Sequence, residues 1–370
     1  MKTLAACMEQ TGADFQVREF DLEGPHAGEV LVRMEYAGLC HSDHHLKHGI
    51  GPLPVIAGHE GAGVVEAVGP GVTDLAPGDH VLTSFLPACG RCRWCVGGQS
   101  YLCDAGANAM TGLMADGTYR FSRDGKGVGA ICCLGTFSQW ATVSQHSVVR
   151  IAPDIPLDIA CLVSCGVPTG WGSAVYAAGV RAHEVVVIYG VGGIGVNAVQ
   201  GAVHAGAGLV IAVDPLETKL KFAQSLGADE GFTSHEEMMP FLIDRTRGVL
   251  ADKVIVTAGV VDDTIVQQAF DATRKGGTLA LTGMSDGTVD RLTVKLSGTA
   301  LSMWAKRLVG VIYGLCNPRY DMPALLELWR EGKLKLDELI SARYPLEGIN
   351  DGYADLIAGR NIRGLLEIAH

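Results

Sequence analysis

Charge is scarce in this 370-residue chain: Asp, Glu, Lys and Arg supply 19% of the residues, and aromatic side chains only 6%. Positive charge is the scarcer sign, with 29 Lys and Arg against 40 Asp and Glu, a net charge of −11 and a pI near 5.5. That excludes nucleic-acid binding through a general basic field. The chain is not short of apolar surface, however. Hydrophobic residues make up 48% of it, which excludes a disordered polymer. The 49 glycines follow no Gly-X-Y period, and the 11 cysteines are spread over too long a chain for a small disulfide scaffold. No internal repeat or low-complexity tract is present. The N-terminus does not resemble a secretory signal, because Glu9 and Asp14 follow the short apolar stretch from Met1 to Cys7 and no basic segment leads into it. The expected compartment is therefore the cytoplasm, where clustered cysteines mean metal or catalysis more often than bridges.

One absence could mislead. Val185 to Val213 holds no Asp, Glu, Lys or Arg over 29 residues, longer than the ~20 residues that span a bilayer. Seven of those residues are glycine, and Asn197, Gln200 and His204 interrupt the run. It reads as strand, turn, helix and strand in a buried parallel sheet, not as a membrane segment.

The length predicts two or three domains at ~100–200 residues each. Up to about residue 165 the pattern predicts strands over Thr3–Met8, Glu29–Tyr36, Gly63–Val68, His80–Thr83 and Ala141–Ile151, punctuated by Gly69-Pro70-Gly71 and Ala76-Pro77-Gly78-Asp79. This is an all-β unit of barrel or sandwich type. After Pro168, strands alternate with helices. Strands are expected at Glu184–Tyr189, Leu209–Val213, Lys253–Thr257 and Thr278–Thr282, and helices at Gly193–Ala205, Leu216–Leu226 and Asp263–Thr273. That alternation predicts an α/β domain with a doubly wound parallel sheet. The tail reads as helices at Pro323–Arg330 and Asn350–Ala358 and a last strand at Gly364–Ile368.

Gly190-Val191-Gly192-Gly193-Ile194-Gly195 fits the dinucleotide fingerprint, with a strand before it, a helix after it, and Asp214 placed 19 residues beyond Gly195. Gly190 allows the tight turn, Gly192 lets the backbone approach a pyrophosphate, and Gly195 lets helix and strand pack. The phosphates then meet the unpaired N–H groups at the helix start. A carboxylate at Asp214 accepts from ribose hydroxyls and repels a 2′-phosphate, which selects NAD over NADP. Lys219 reads either as a second ribose contact or as a solvated helix lysine.

Cys89, Cys92, Cys95 and Cys103 form C-x2-C-x2-C-x7-C, a closed four-thiolate set that suits structural zinc. An iron–sulfur cluster is the rival, though Asp104 stands where the bacterial cluster run has proline. Cys40, His59 and Cys165 are dispersed, and spacing alone does not single them out. Together they would make two thiolates and one imidazole, a set that leaves a fourth zinc position open.

These segments together resemble the zinc-dependent medium-chain alcohol dehydrogenases over essentially the whole chain. The likeness is carried by Gly38-Leu39-Cys40-His41-Ser42-Asp43-His44-His45, Gly58-His59-Glu60-Gly61-Ala62-Gly63, the four-cysteine loop, Cys165-Gly166-Val167-Pro168-Thr169-Gly170 and the glycine fingerprint. It implies a mainly β GroES-like catalytic domain from 1–165 and 313–370, and a Rossmann domain from 166–312. Two zinc ions and NAD are implied as cofactors. Cys40, His59 and Cys165 match catalytic zinc ligands, with Glu60 beside the metal and Asp43 behind the ligand histidine. Ser42 matches the hydroxyl that contacts substrate, and His45 the outer end of a proton relay that runs through Ser42 and the nicotinamide ribose. His41 and Arg363 match pyrophosphate contacts, and Thr169 a position near the nicotinamide. Phe85, Phe137 and Met284 fall where the family lines its substrate pocket. The remaining cysteines, Cys7, Cys132, Cys133, Cys161 and Cys316, read as thiols without chemistry.

Within the longer-chain branch, Cys89-Gly90-Arg91-Cys92-Arg93-Trp94-Cys95 and Gly117-Thr118-Tyr119-Arg120-Phe121 resemble the bacterial nicotinoprotein alcohol dehydrogenases, which hold NAD tightly and are assayed with a nitrosodimethylaniline acceptor. The implied activity is reversible oxidation of a small alcohol to an aldehyde or ketone, with no nucleic-acid or membrane partner and a homodimer or homotetramer as assembly. Two alternatives stay open: a thiol-dependent formaldehyde dehydrogenase, and a non-catalytic zinc- and NAD-binding protein. The segment between His45 and His59 offers no carboxylate to match the one that thiol-adduct enzymes use.

Overall fold

The computed structural model describes residues 1–49, 51–283 and 294–370. The chain forms two compact units, one from Met1–Cys165, Asn317–Gly332 and Leu336–His370, the other from Gly166–Cys316 and Lys333–Lys335.

The first unit is built on strands. A closed barrel runs in the order Lys2–Met8, Gln16–Leu22, Phe121–Arg123, Lys126–Ala130 and Val55–Ile56. A second sheet runs Val148–Arg150, His80–Thr83, Gly61–Val68, Glu29–Gly38, Arg363–Glu367 and Ile340–Pro345, with Trp140–Ser144 also paired to Glu29–Gly38. Side chains from both sheets fill one core that includes Met8, Phe20, Val32, Ile56, Phe121, Phe137 and Leu366. The last strand pairs antiparallel with Glu29–Gly38, Leu365 opposite Gly38 and Leu366 opposite Ala37. The chain end thereby covers the strand that leads into Cys40.

Two departures from the expected strands have local causes. The single strand expected over Ala141–Ile151 is two strands, Trp140–Ser144 and Val148–Arg150, separated by a 3₁₀ turn at Gln145–Ser147. The Ser144 hydroxyl accepts from the His146 N–H at 3.2 Å, so the side chain offers the backbone an alternative to the ladder. The two halves then pair with different neighbours, Glu29–Gly38 and His80–Thr83. The strands Phe121–Arg123 and Lys126–Ala130, absent from the expected set, close through Asp124 and Gly125 at φ +53° and +74°. Two consecutive left-handed residues of type Asp-Gly are a hairpin signal that the sequence carries.

The second unit is a six-stranded parallel sheet ordered Glu230–Phe232, Leu209–Val213, Val185–Tyr189, Ala251–Val256, Thr273–Leu281 and Arg307–Gly310. By chain position this is 3-2-1-4-5-6, the doubly wound dinucleotide-binding order. Helices Gly195–His204, Glu217–Ser225, His235–Arg245 and Asp263–Ala272 connect the strands. The charge-free run resolves into Val185–Tyr189, a turn, Gly195–His204 and Leu209–Val213, with the central strand residues fully buried. Among the described residues no helix is long and apolar enough to cross a membrane. The helix His235–Arg245 was not expected; it carries Pro240 internally, and Ser234 caps it by accepting from the Glu237 N–H at 3.2 Å.

Candidate active site and metal centres

Cys40 leaves the strand Glu29–Gly38 in an extended conformation, φ −112° and ψ 143°, and is followed directly by the short helix His41–His44. His59 and Glu60 lie in the link between Val55–Ile56 and Gly61–Val68, and Cys165 follows the helix Leu157–Leu162. One donor atom from each of Cys40, His59, Glu60 and Cys165 falls within 4.8 Å of the others, and all four residues are buried. The sequence scatters these residues over 126 positions (40 to 165), and the β unit gathers them.

Asp43 fixes the histidine. Its Oδ2 lies 2.9 Å from His59 Nδ1, and its Oδ1 accepts from the Gly58 N–H at 3.0 Å. A proton held on Nδ1 leaves Nε2 as the metal-binding lone pair, the usual arrangement behind a ligand imidazole. Burial opposes charge on His59, but the Asp43 carboxylate and the Cys40 and Cys165 sulfurs outweigh it and lift its pKa. A hydrogen bond from Cys165, helped by His59, lowers the Cys40 thiol well below its ordinary value despite burial; the same bond raises Cys165. Two sulfurs and an imidazole in a dry pocket with one readily formed thiolate fit a divalent ion of zinc type.

Glu60 is fully buried and takes the guanidinium of Arg363 on Oε2, while its Oε1 has no hydrogen-bond partner. Burial pushes the carboxyl up to about 7 against the pull of Arg363. An orphaned acceptor beside the three donors fits a cation in this pocket. Gly38 admits this arrangement, since a Cβ there would overlap Glu60 Oε2 and lie 3.0 Å from the Arg363 guanidinium. Arg363, expected at a pyrophosphate, thus sits 4% exposed against Glu60. Sequence gave no sign of this pair, whose members are 303 positions apart.

The relay candidates differ in exposure. Ser42 is exposed. His45, expected at the outer end of a proton path, is buried at 3% exposure. Its ring lies 5.2 Å from that of the half-buried His41 and 6.3 Å from that of the exposed His48. The Phe85 ring meets His59 edge-on at 5.5 Å. Phe137 is wholly buried in an aromatic group with Phe15 at 6.5 Å and Tyr353 at 6.4 Å. Met284 lies outside the described residues.

Cys89, Cys92, Cys95 and Cys103 converge within 4.8 Å. The Cys89–Cys95 and Cys92–Cys103 sulfur pairs are each 3.9 Å apart, close to the roughly 3.8 Å edge of a tetrahedron with 2.3 Å zinc–sulfur bonds. All four sulfurs lie within 4.8 Å of one another, a spacing that suits one tetrahedral ion. Backbone N–H groups of Cys92 and Cys89 point at Cys89 and Cys103 sulfurs at 3.4 Å. Backbone hydrogen bonds from Cys95 and Asp104 bring the Cys92 thiol down to about 6. The lobe is braced by Trp94 Nε1 donating to Asp104 at 3.0 Å, with Arg93 over the indole at 4.3 Å.

In the second unit Gly190 turns at φ +83°, and a Cβ there would come within 2.6 Å of the Ala258 backbone. A Cβ on Gly195 would overlap the Gly190 carbonyl and approach Thr257 Oγ1 to 2.7 Å. At Gly192 the nearest atom to such a Cβ is Lys219 Nζ at 3.9 Å. The protein alone would tolerate a side chain there, so the open space beside a lysine is a cradle for an anion. Gly193 and Ile194 complete the loop, the Ile194 carbonyl accepting from the Ala198 N–H at 3.1 Å. Lys219 thus faces the loop, which favours a ligand contact over a purely solvated lysine. Asp214 is 5% exposed, and its oxygens accept from the Val191 N–H at 3.0 Å and the Leu216 N–H at 3.1 Å. The acid therefore also braces the loop. Thr257, missed in the sequence, donates to the Gly190 carbonyl at 2.6 Å; the signal was a hydroxyl at the carboxyl end of a buried parallel strand. Thr169 is buried on the helix Gly166–Gly172, its carbonyl accepting from Ser173 Oγ at 2.6 Å.

A closed four-cysteine centre, a buried Cys–His–Cys centre on a β unit, and a parallel sheet with a glycine-rich loop define a zinc-dependent dehydrogenase. Residues 26–154 match the family described as alcohol dehydrogenase GroES-like domain, and residues 193–331 the family described as zinc-binding dehydrogenase. The chain belongs to the zinc-binding medium-chain alcohol dehydrogenases. It is 50% identical over 368 residues to the NDMA-dependent alcohol dehydrogenase of Amycolatopsis methanolica, covering 99% of both chains. It is 49% identical to the putative alcohol dehydrogenase D of Mycobacterium tuberculosis, covering 99% of this chain and 100% of that one. Among solved structures, the benzyl alcohol dehydrogenase of Acinetobacter calcoaceticus superposes with a TM-score of 0.91 at 28% identity, with both chains fully covered. The protein is a zinc-dependent alcohol oxidoreductase, and zinc and a nicotinamide dinucleotide are its cofactors.

Proposed function

We propose that the protein oxidises small alcohols to aldehydes or ketones, reversibly, with NAD held tightly and reoxidised in place. The observation that carries this reading is the buried Cys40–His59–Cys165 set with Asp43 locked on His59, joined to 50% identity with an enzyme named for its NDMA dependence. Zinc, when bound, supplies the Lewis acidity that makes an alcohol proton labile near neutral pH, and NAD the hydride acceptor. Asp43 holds the His59 ring in its binding tautomer. Ser42 Oγ would take the alcohol proton and pass it through the nicotinamide ribose to His45, whose imidazole can both accept and donate a proton. Glu60 and Arg363 set the charge behind the metal pocket, and Phe85 forms an apolar wall against His59. Asp214 and Lys219 select NAD by its ribose hydroxyls, and the glycine loop with His41 and Thr169 receives the rest of the cofactor. Residues 1–165 and 313–370 then act as the catalytic domain and 166–312 as the NAD domain.

A homodimer or homotetramer fits Arg307–Gly310, the edge strand of this sheet among the described residues, with Leu308 on it and Met303, Trp304 and Ile312 beside it exposed. A cytoplasmic location fits 11 cysteines of which none forms a disulfide. The deciding experiment is alcohol oxidation without added thiol. Turnover of a simple alcohol is expected; absolute dependence on glutathione or mycothiol would overturn the reading in favour of a formaldehyde dehydrogenase. No hydride transfer from a broad alcohol panel in zinc-loaded protein would leave a binding protein only.

A further inference from the structure

One hydroxyl in the aromatic group behind Cys40 does more than fill space. Tyr353 lies on the helix Ile349–Ile357 and is 1% exposed. Its ring stacks on Phe15 at 5.1 Å and meets His44 at 5.8 Å and Phe137 at 6.4 Å. Phenylalanine would make the same ring contacts without taking an O–H out of water. The hydroxyl donates to the main-chain carbonyl of Cys40 at 3.3 Å, its only hydrogen-bond partner among the described residues. The same carbonyl accepts from the Asp43 N–H at 3.2 Å.

Resting on the reading of the Cys40–His59–Cys165 pocket as the catalytic zinc site, we infer that Tyr353 is a positioning residue for that metal: its hydroxyl fixes the Cys40 carbonyl, and with it the direction of the Cys40 sulfur and the turn that carries Asp43. Cys40 lies just past the end of the strand Glu29–Gly38, in an extended conformation ahead of the helix His41–His44. A contact from outside the turn therefore decides how its peptide is oriented. The helix that presents the phenol is itself anchored. Asn350 clasps the Phe15 main chain, accepting from its N–H at 3.1 Å and donating to its carbonyl at 3.0 Å. Gly352 lets the helix close on Leu39, the residue before Cys40, whose Cδ1 a Cβ there would overlap. The hydroxyl thus acts from a fixed support and not from a side chain free to follow Cys40. At 3.3 Å the bond is longer than the ~2.7–2.8 Å usual for O–H···O, so its effect on the metal is modest in size.

The test compares the zinc- and NAD-loaded enzyme with its Tyr353→Phe variant, which keeps the ring and deletes the hydroxyl. Chelator competition should release the ion of the Cys40 pocket about three- to tenfold more readily in the variant, with the four-cysteine ion unchanged. With cobalt(II) exchanged into the Cys40 pocket, the sulfur-to-cobalt charge-transfer band should also move in the variant. Neither readout involves turnover. Equal release in wild type and variant, or an unmoved band, would overturn the inference. Equal loosening of both ions would mark general destabilisation and overturn it too, as would wild-type behaviour in Tyr353→Phe with loosening only in Tyr353→Leu, which marks ring packing alone. A wild type that holds one zinc per chain, in the four-cysteine site, would instead count against the reading of the pocket.

Discussion

Asp43→Asn isolates the support behind the catalytic metal. Asp43 is wholly buried, and its two oxygens serve His59 Nδ1 at 2.9 Å and the Gly58 N–H at 3.0 Å. Asparagine keeps the size but has one acceptor oxygen, so one of these two donors must face an NH₂ group. If the oxygen stays on His59, the Gly58 N–H is orphaned, at a cost of about 1–3 kcal/mol. If it turns to Gly58, the imidazole loses its tautomer lock. In both cases the carboxylate that raises the basicity of His59 is gone. Loss of such a partner weakens metal binding by roughly 10–100-fold, or about 1.4–2.8 kcal/mol. The assay is competition with a zinc-binding dye, counting ions released per chain. Wild type should give up two ions in separate steps, and the variant should release the catalytic one at roughly 10–100-fold lower chelator while the four-cysteine ion is unaffected. Identical release curves with identical thermal stability would refute the assignment of Asp43 as the support of a ligand histidine.

Other outcomes follow from the same geometry. Gly192→Ala should leave the melting temperature unchanged, because only Lys219 Nζ approaches its Cβ, at 3.9 Å, yet weaken NAD binding tenfold or more by calorimetry; Gly195→Ala should unfold the second unit's loop, since its Cβ overlaps the Gly190 carbonyl. In zinc-stripped protein Glu60 should make stability pH-dependent. Burial pushes the folded carboxyl up to about 7 from its ordinary 4.5, so the folded state binds the extra proton between these values, and stability falls as pH rises through that window by up to roughly 3 kcal/mol. Denaturant titrations at pH 4.5 and 8 should show this slope reduced in Glu60→Gln. Arg363→Met leaves Glu60 buried without its cation and should cost about 3–5 kcal/mol in chemical unfolding. Cys92→Ser should lower the zinc content from two to one per chain while leaving the Cys40–His59–Cys165 ion in place, measured by metal analysis.

What was legible in the sequence divides along physical lines. The glycine loop was readable to single residues because its steric demands are local: Gly190 needs a positive φ, and Gly195 must pack against it. The four-cysteine lobe was readable for the same reason, with its ligands inside one short loop. Strands buried on both faces, such as Val185–Tyr189 and Leu209–Val213, announced themselves as apolar runs. Gln16–Leu22 did not, since only Phe20 and Leu22 are buried along it and the charged Arg18, Glu19 and Asp21 interrupt the apolar pattern. The Cys40–His59–Cys165 set needed the resemblance, because its spacing encodes nothing until strands bring it together. The Glu60–Arg363 pair was invisible, as it depends on the last strand Arg363–Glu367 returning beside Glu29–Gly38; the burial of His45 had no local signal either.

The central claim is an alcohol-oxidising zinc enzyme that keeps its NAD. Denaturing the purified protein and quantifying the released nucleotide by mass and absorbance, before and after exposure of the native enzyme to alcohol, tests it most directly. The account predicts close to one NAD per chain, converted to NADH by alcohol alone, reoxidised by NDMA, and not stimulated by free NAD. Protein that carries no nucleotide and turns over only with added NAD would contradict it.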